Sequence, residues 1–181
     1  QFPAPAHDLS QRDYFLALKE AGPERVYISR PVKSVATQDW TLYIARRVND
    51  PDGGLAGLVV GAIQLSYFEQ FYRSLHVTPG SGISLWWCDG MLLTRYPALP
   101  DKVGTIAMSP GVAQQVANHT VGTHETPRSV DGEDRILSFV SLRNYPLVVG
   151  VSRTRGEILA RWNDQAQIIA AAGLLSAVTL T

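Results

Sequence analysis

The chain has 181 residues, 45% of them hydrophobic and 18% charged, a globular composition that excludes wholesale disorder. Sixteen Lys and Arg balance sixteen Asp and Glu, so no basic excess marks a nucleic-acid partner, although a local basic pocket for a carboxylate remains compatible with a zero total. A single cysteine, Cys88, excludes an intramolecular disulfide and leaves the compartment open.

The first residues, Gln1 to His7, are rich in Pro and Ala and carry neither the basic nor the apolar stretch of a signal peptide. The start at Gln1, without Met, is compatible with a longer chain upstream. Ser10 to Ala21 reads as a helix, with Tyr14, Phe15, Leu18 and Ala21 at helical spacing and Gly22-Pro23 to stop it. Val26 to Ser29 is a short strand, and Thr41 to Val48 a longer one with alternating faces. Leu55 to Leu65 is almost continuously apolar, which predicts a strand buried on both faces. Asn49 to Gly54 (NDPDGG) turns the chain between the two.

Ser66 and Glu69 form a capping-box pattern for a helix whose Tyr67, Phe68, Phe71, Tyr72 and Leu75 read as a core stripe. Val77 to Gly82 (VTPGSG) is a linker. The second half repeats the theme with a hairpin from Ile83 to Arg95 around Asp89-Gly90. A helix runs from about Gly111 to Asn118 behind Ser109-Pro110. His119 to Arg128 is a loop or irregular edge strand, and a second hairpin, Arg135 to Ser152, turns at Arg143-Asn144-Tyr145. Thr154 and Glu157 cap a final helix. Ile168 to Thr181 (IIAAAGLLSAVTLT) carries no charge but falls short of the about 20 apolar residues that a span needs; we expect it to be the start of a truncated transmembrane helix. Strands with Asp-Gly turns and one or two helices in each half predict an α+β fold of two modules, each a sheet packed by helices.

No nucleophile elbow, P-loop or dinucleotide fingerprint is present, and nothing assembles a nucleophile, a base and an oxyanion site, so no enzyme activity is expected. His119, His124 and Glu125 come nearest to a metal set, but they occupy a Thr/Gly-rich loop and read as solvated; no cofactor is expected. Cys88 has no His or Lys beside it and reads as a buried, inert thiol. The carboxylates Asp89, Asp131, Glu133 and Asp134 sit at turn glycines and read as turn residues.

One segment differs. Arg12, Tyr14 and Phe15 set a guanidinium beside two aromatics at a helix start. Tyr27 and Ser29 share one strand face by period two, and Arg46 and Arg47 put one guanidinium on each face of the next strand. Arginine holds carboxylates in a bidentate manner, and aromatics supply walls, so a small polar or anionic ligand suits this set. The other reading is that Arg12 pairs with Asp8 or Asp13 and the aromatics are core.

The strings RDYF, VYISRPVKS and TLYIARRVNDPDGGLAGLVVGAIQL resemble the membrane-distal half of a double-Cache sensor domain, and WWCDGMLLTRYP with DRILSFVSLRNYPLVVGVS resembles its membrane-proximal half. The resemblance implies two PAS-like modules in tandem: residues 1–76, membrane-distal; residues 77–153, membrane-proximal; and residues 154–181, an exit helix entering the bacterial inner membrane. It implies the extracytoplasmic, periplasmic sensor of a histidine kinase, diguanylate cyclase or chemoreceptor, with a small-molecule ligand and a homodimeric full receptor. The ligand site it implies comprises Arg12, Tyr14, Phe15, Tyr27, Ser29 and Arg46. Tyr14 stands where the family commonly has Trp, and Ala62 where it has the acid that meets a ligand ammonium. A carboxylic acid or another small polar molecule is therefore expected rather than an amino acid. The long helix and opening strands with which such domains begin are expected to be missing ahead of RDYF. The alternative function is a membrane-tethered module regulated by a partner protein, without a small-molecule pocket.

Overall fold

The protein is described here from a computed structural model that defines residues 10–20, 26–34, 37–118 and 120–179. It is an α+β chain with two antiparallel sheets, and it divides into two compact units, Gln1–Phe71 and Tyr72–Thr181. The division falls inside a helix, whereas the sequence suggested the Pro/Gly segment after it, at 76/77.

In the first unit, α1 (Asp13–Lys19) is followed by β1 (Val26–Ile28), β2 (Val32–Lys33), β3 (Trp40–Asn49) and β4 (Leu55–Gln64). The helix is shorter than its periodicity predicts because Arg12 holds an extended backbone (φ −74°, ψ 140°) and serves as the N-cap; Ala21 lies outside the described residues. Strand β3 is the spine: β1 and β2 pair with it along one edge, and β4 along the other. At the β3–β4 turn, Asp50 accepts a hydrogen bond from the Gly54 amide, and Gly53 takes the left-handed backbone (φ +84°) that only glycine adopts cheaply.

Register assigns the faces. Tyr27 opposes Ala45, Tyr43 opposes Ala62, and Thr41 opposes Gln64, so these residues share one side of the sheet. Helix α1 lies on that side, packing Tyr14 and Leu18 against Ala45 with Phe15, Tyr27, Tyr43 and Leu58 around them.

Strand β4 departs from expectation. It was predicted to be buried on both faces, yet Val59 is 65% exposed and Val60 39%. Among the described residues it pairs only with β3, an edge position, and four of its ten residues are Gly or Ala, with little side chain to bury.

Helix α2 (Leu65–Ser74) continues from β4 without a break, so Ser66 falls within its first turn instead of capping it. The predicted core stripe is also split. Leu65 and Tyr72 are buried, while Tyr67, Phe71 and Leu75 are exposed. The spacing of four between Tyr67, Phe71 and Leu75 sets them on one helical line, away from the line that is buried.

The second unit holds β5 (Ser81–Trp87), β6 (Leu92–Tyr96), α3 (Pro110–Asn118), β7 (Val121–Thr126), β8 (Arg135–Ser141), β9 (Leu147–Thr154) and α4 (Arg155–Thr179). Its sheet runs β6-β5-β9-β8-β7, so the stretch left as a loop or irregular strand is a regular edge strand, β7. One face carries Trp86, Leu137, Phe139 and Val148 from the sheet, covered by Met108 and by Val112 of α3. Strand β5 ends at Trp87, which delivers Cys88 to the turn, so its thiol is exposed and not buried as expected.

On the same face, a charged network replaces hydrocarbon. Arg95 donates to Ser84 Oγ (2.9 Å) and Asp131 Oδ2 (2.8 Å), and Arg135 binds the same carboxylate (2.7 Å) and the Gly80 carbonyl (2.9 Å). Arg95 is 3% exposed and Arg135 7%. Burial works against ionising the Asp131 carboxyl, but the Arg135 hydrogen bond and the two guanidinium charges outweigh it and hold its pKa below the usual carboxylate range. Asp131 is therefore a tertiary anchor as well as a turn residue. Helix α4 starts directly after Thr154, as its capping pattern predicted, and runs through the apolar tail to Thr179. Among the described residues, no helix is long and apolar enough to cross a membrane.

Candidate ligand-binding site

The first unit carries an open cleft of about 650 Å³ on the α1 side of its sheet. Thr41 and Tyr43 of β3 and Ala62 and Gln64 of β4 form the floor, Ser34 and Thr37 the rim, and Tyr67 at the start of α2 a wall. Local sequence explains the floor: period-two alternation in β3 turns Thr41, Tyr43 and Ala45 to one side, and antiparallel register places Gln64, Ala62 and Val60 opposite them. Hydroxyls, a carboxamide and aromatic rings line the cleft, and among the described residues no carboxylate does. Gln64 Nε2 donates to Asp39 Oδ2 at 3.2 Å, which fixes the amide at the edge of the floor.

Helix α1 closes the other end of this face. Tyr14 meets Tyr43 with ring centroids 6.0 Å apart and planes tilted by 50°. Leu18 packs on Ala45, and the Lys19 carbonyl accepts from Arg47 Nη1 at 2.8 Å. The helix therefore runs along β3 in the strand's own direction, with its N-terminal end, and Arg12, toward the cleft.

The predicted site residues fall into three groups. None of the predicted residues lines the cleft; Tyr14, Phe15 and Tyr27 are together in the small core under α1, where Tyr14 touches Tyr43 of the cleft floor. Burial, and then the charge of Asp13, raise the pKa of Tyr27, so its phenol stays protonated. Ser29 is buried, but its hydroxyl donates to the Arg30 carbonyl (2.8 Å) and accepts from the Tyr43 amide (2.9 Å), so it serves the sheet edge. Arg12 is exposed at the helix start. Arg46 is not brought to the set: alternation puts it on the opposite face from Tyr43 and Ala45. Arg47 is on the site's face, where it bonds Asn49 Oδ1 (2.6 Å) and ties down the end of α1.

Sequence reasoning missed Thr41, Tyr43, Gln64 and Tyr67. Alternation from Ala45 would have found the β3 pair; Gln64 and Tyr67 need the β3–β4 register. Among the described residues no group of His, Cys, Asp and Glu is placed to hold a metal. His124 and Glu125 lie in β7, and His119 is outside the described residues.

Residues 65–152 match the dCache_1-like family, described as a histidine kinase sensor domain. Over that span the chain is similar to the dCache_1-like sensor family. The dCache_1-like region begins at α2 and ends in β9, so it covers nearly the whole second sheet. Among solved structures, the extracellular domain of rpHK1S-Z16, described as a histidine kinase, is 31% identical over 87% of this chain and 65% of its own, with a TM-score of 0.72. The periplasmic sensory domain of the Campylobacter jejuni chemoreceptor Tlp1 shares the fold at 15% identity, over 81% of this chain and 56% of its own, with a TM-score of 0.67. The ligand-binding domain of the Pseudomonas fluorescens chemoreceptor CtaA, solved with L-serine, shares it at 19% identity, over 84% and 64%, with a TM-score of 0.54. The chain thus spans 65% or less of each of these domains. No curated protein matches it.

Proposed function

We propose that the chain is the periplasmic sensing part of a bacterial inner-membrane receptor, with its two units acting as PAS-like modules in tandem. The first unit binds a small polar molecule in its cleft, and the second passes the change through α4 toward a cytoplasmic output domain. The observation that carries this reading is the cleft, about 650 Å³ of space lined by Thr41, Tyr43, Gln64 and Tyr67 beside an aromatic pair. A cavity of a few hundred Å³ with a few placed polar groups is the usual form of a small-molecule site. The match of residues 65–152 to a sensor-domain family supports a sensor role.

The ligand's chemistry follows from the lining. CtaA and the domain of Mlp24 are solved with amino acids, but here no carboxylate among the described residues lines the cleft, and Ala62 lies opposite Tyr43. A ligand ammonium on the floor would lose its water beside no lining carboxylate, Asp39 at the edge being engaged by Gln64, which is costly. A carboxylic acid fits better: Arg12, at the end of α1 toward the cleft, meets the carboxylate, and the hydroxyls and the Gln64 amide meet its remaining polar atoms. For a signal to result, the ligand must bind two arrangements of the unit with different affinity.

Calorimetric titration with a carboxylic acid that binds the full chain tests the reading. One charge-assisted hydrogen bond is worth about 1.5–3 kcal/mol, so Arg12→Ala weakens binding by about 10- to 100-fold. Tyr67→Ala, also at an exposed position, weakens it as well, while far-UV circular dichroism stays unchanged in both. Wild-type affinity in both variants removes the cleft from the account.

A further inference from the structure

The second unit contains its own cavity, of about 460 Å³, between the core face of its sheet and the loops before α3 and after β7. Among the described residues, four buried side-chain polar atoms lack a hydrogen-bond partner: Trp86 Nε1, Ser109 Oγ, Thr126 Oγ1 and Ser141 Oγ. Three of those four residues, Trp86, Ser109 and Thr126, line this one cavity. They come from separate elements, namely the next-to-last residue of β5, the residue before α3 and the last residue of β7. Trp86 is 4% exposed and Thr126 5%, so neither can turn to bulk water. Buried polar groups are nearly always paired, and several unpaired ones on residues that line one cavity point to a missing guest. The indole N–H can only donate, so the guest must present an acceptor to it.

Charge narrows the class. Lys102 and Arg128, both exposed, line the rim, and among the described residues no Asp or Glu lines the cavity. Arg128 is held there in a left-handed backbone (φ +48°), with its amide donating to Asp134 Oδ1 at 3.0 Å. Such a backbone is costly for a non-glycine residue and persists only where the surroundings impose it. Besides Thr105 and Ser129, the rest of the lining is apolar, including Ile106, Met108, Val112, Val130 and Leu137.

We propose that this cavity is a second ligand site, taking a small organic carboxylate with an apolar body. The carboxylate accepts from Trp86 Nε1 and the Ser109 and Thr126 hydroxyls, and Lys102 and Arg128 neutralise it at the rim. The apolar body lies against Met108, Val112 and Leu137. The site stands independently of the cleft in the first unit, since no residue is shared between them.

The test is titration of the full chain with benzoate, and with benzamide as its neutral counterpart, read by calorimetry and by the tryptophan indole N–H resonances in two-dimensional NMR. Trp86→Phe keeps a ring and removes the donor, which also assigns the Trp86 resonance; Thr126→Val removes a hydroxyl at nearly constant shape; Arg128→Gln removes a charge. Benzoate is expected to shift the Trp86 indole resonance and to bind at least tenfold more tightly than benzamide. Each of the three variants is expected to weaken benzoate by about tenfold while keeping the wild-type melting profile. Should Trp86→Phe fail to fold, the other two variants carry the same comparison. An unmoved Trp86 resonance at millimolar benzoate overturns the proposal, since ordered water then satisfies the orphan groups. Benzoate binding that is indifferent to all three variants also overturns it and assigns that binding elsewhere.

Discussion

Asp131 illustrates how one side chain can organise a sheet face. It receives two guanidinium groups, from Arg95 and Arg135, which are both almost fully buried. Asp131→Asn leaves two like charges buried without their counter-charge, and we expect a loss of about 3 kcal/mol, the scale for breaking a buried ion pair from one side. The pH dependence has a definite sign. The carboxyl pKa is depressed in the folded state, so its contribution is complete above the ordinary aspartate range and is lost as pH falls through the depressed value. Urea midpoints should therefore fall between pH 7 and pH 3 in the wild type, and Asp131→Asn should show less of that fall. An equal fall in both would mean that other carboxylates govern acid stability.

Ala62 is the second informative residue. It opposes Tyr43 on the floor of the cleft, where a carboxylate would meet a ligand ammonium. Ala62→Asp should turn selectivity from carboxylic acids toward amines, read by calorimetry with matched acid and amine probes. Unchanged selectivity would mean that position 62 does not face the ligand.

At the scale of elements, local signals were reliable where neighbouring residues decide the structure. The Asp-Gly turns, the start of α3 behind Ser109-Pro110 and the start of α4 behind Thr154 were legible because turn and cap chemistry is local. Burial was not legible in the same way. An apolar run such as Leu55–Gln64 shows that a strand forms, but whether its faces are covered depends on layers distant in sequence. The aromatic run of α2 likewise divides into buried and exposed lines according to what packs on it. The cleft lining was not legible: Arg12 and Tyr14 stand out as a local cluster but do not line the cleft, whereas Gln64 and Tyr67 join it only through strand register. The Arg95–Asp131–Arg135 network spans three elements and leaves no local trace.

The central strands of the second sheet also predict an effect. A methyl group added at Gly150 would run into the Trp86 ring and Leu137, because Gly150 of β9 lets that ring lie flat across the sheet. Gly150→Ala should cost about 1–3 kcal/mol by overpacking, seen as a lower urea midpoint with an unchanged slope. Wild-type stability would show that the ring relocates freely.

For the whole molecule, two compact units each pair an antiparallel sheet with a cavity on the face where helices pack, and a long final helix leaves the second unit. The arrangement suits a receptor in which ligand occupancy is converted into a shift between two states. A thermal-shift screen of the full chain against small carboxylates, uncharged polar molecules, amino acids and amines tests the central claim most directly. A ligand at 100 times its Kd stabilises the fold by about 2.7 kcal/mol, which raises Tm by several degrees in a chain of this size. The account predicts such a rise for one or more carboxylic acids, lost in Arg12→Ala, with amino acids giving less. A screen in which amines or amino acids raise Tm while every carboxylic acid leaves it unmoved would contradict it.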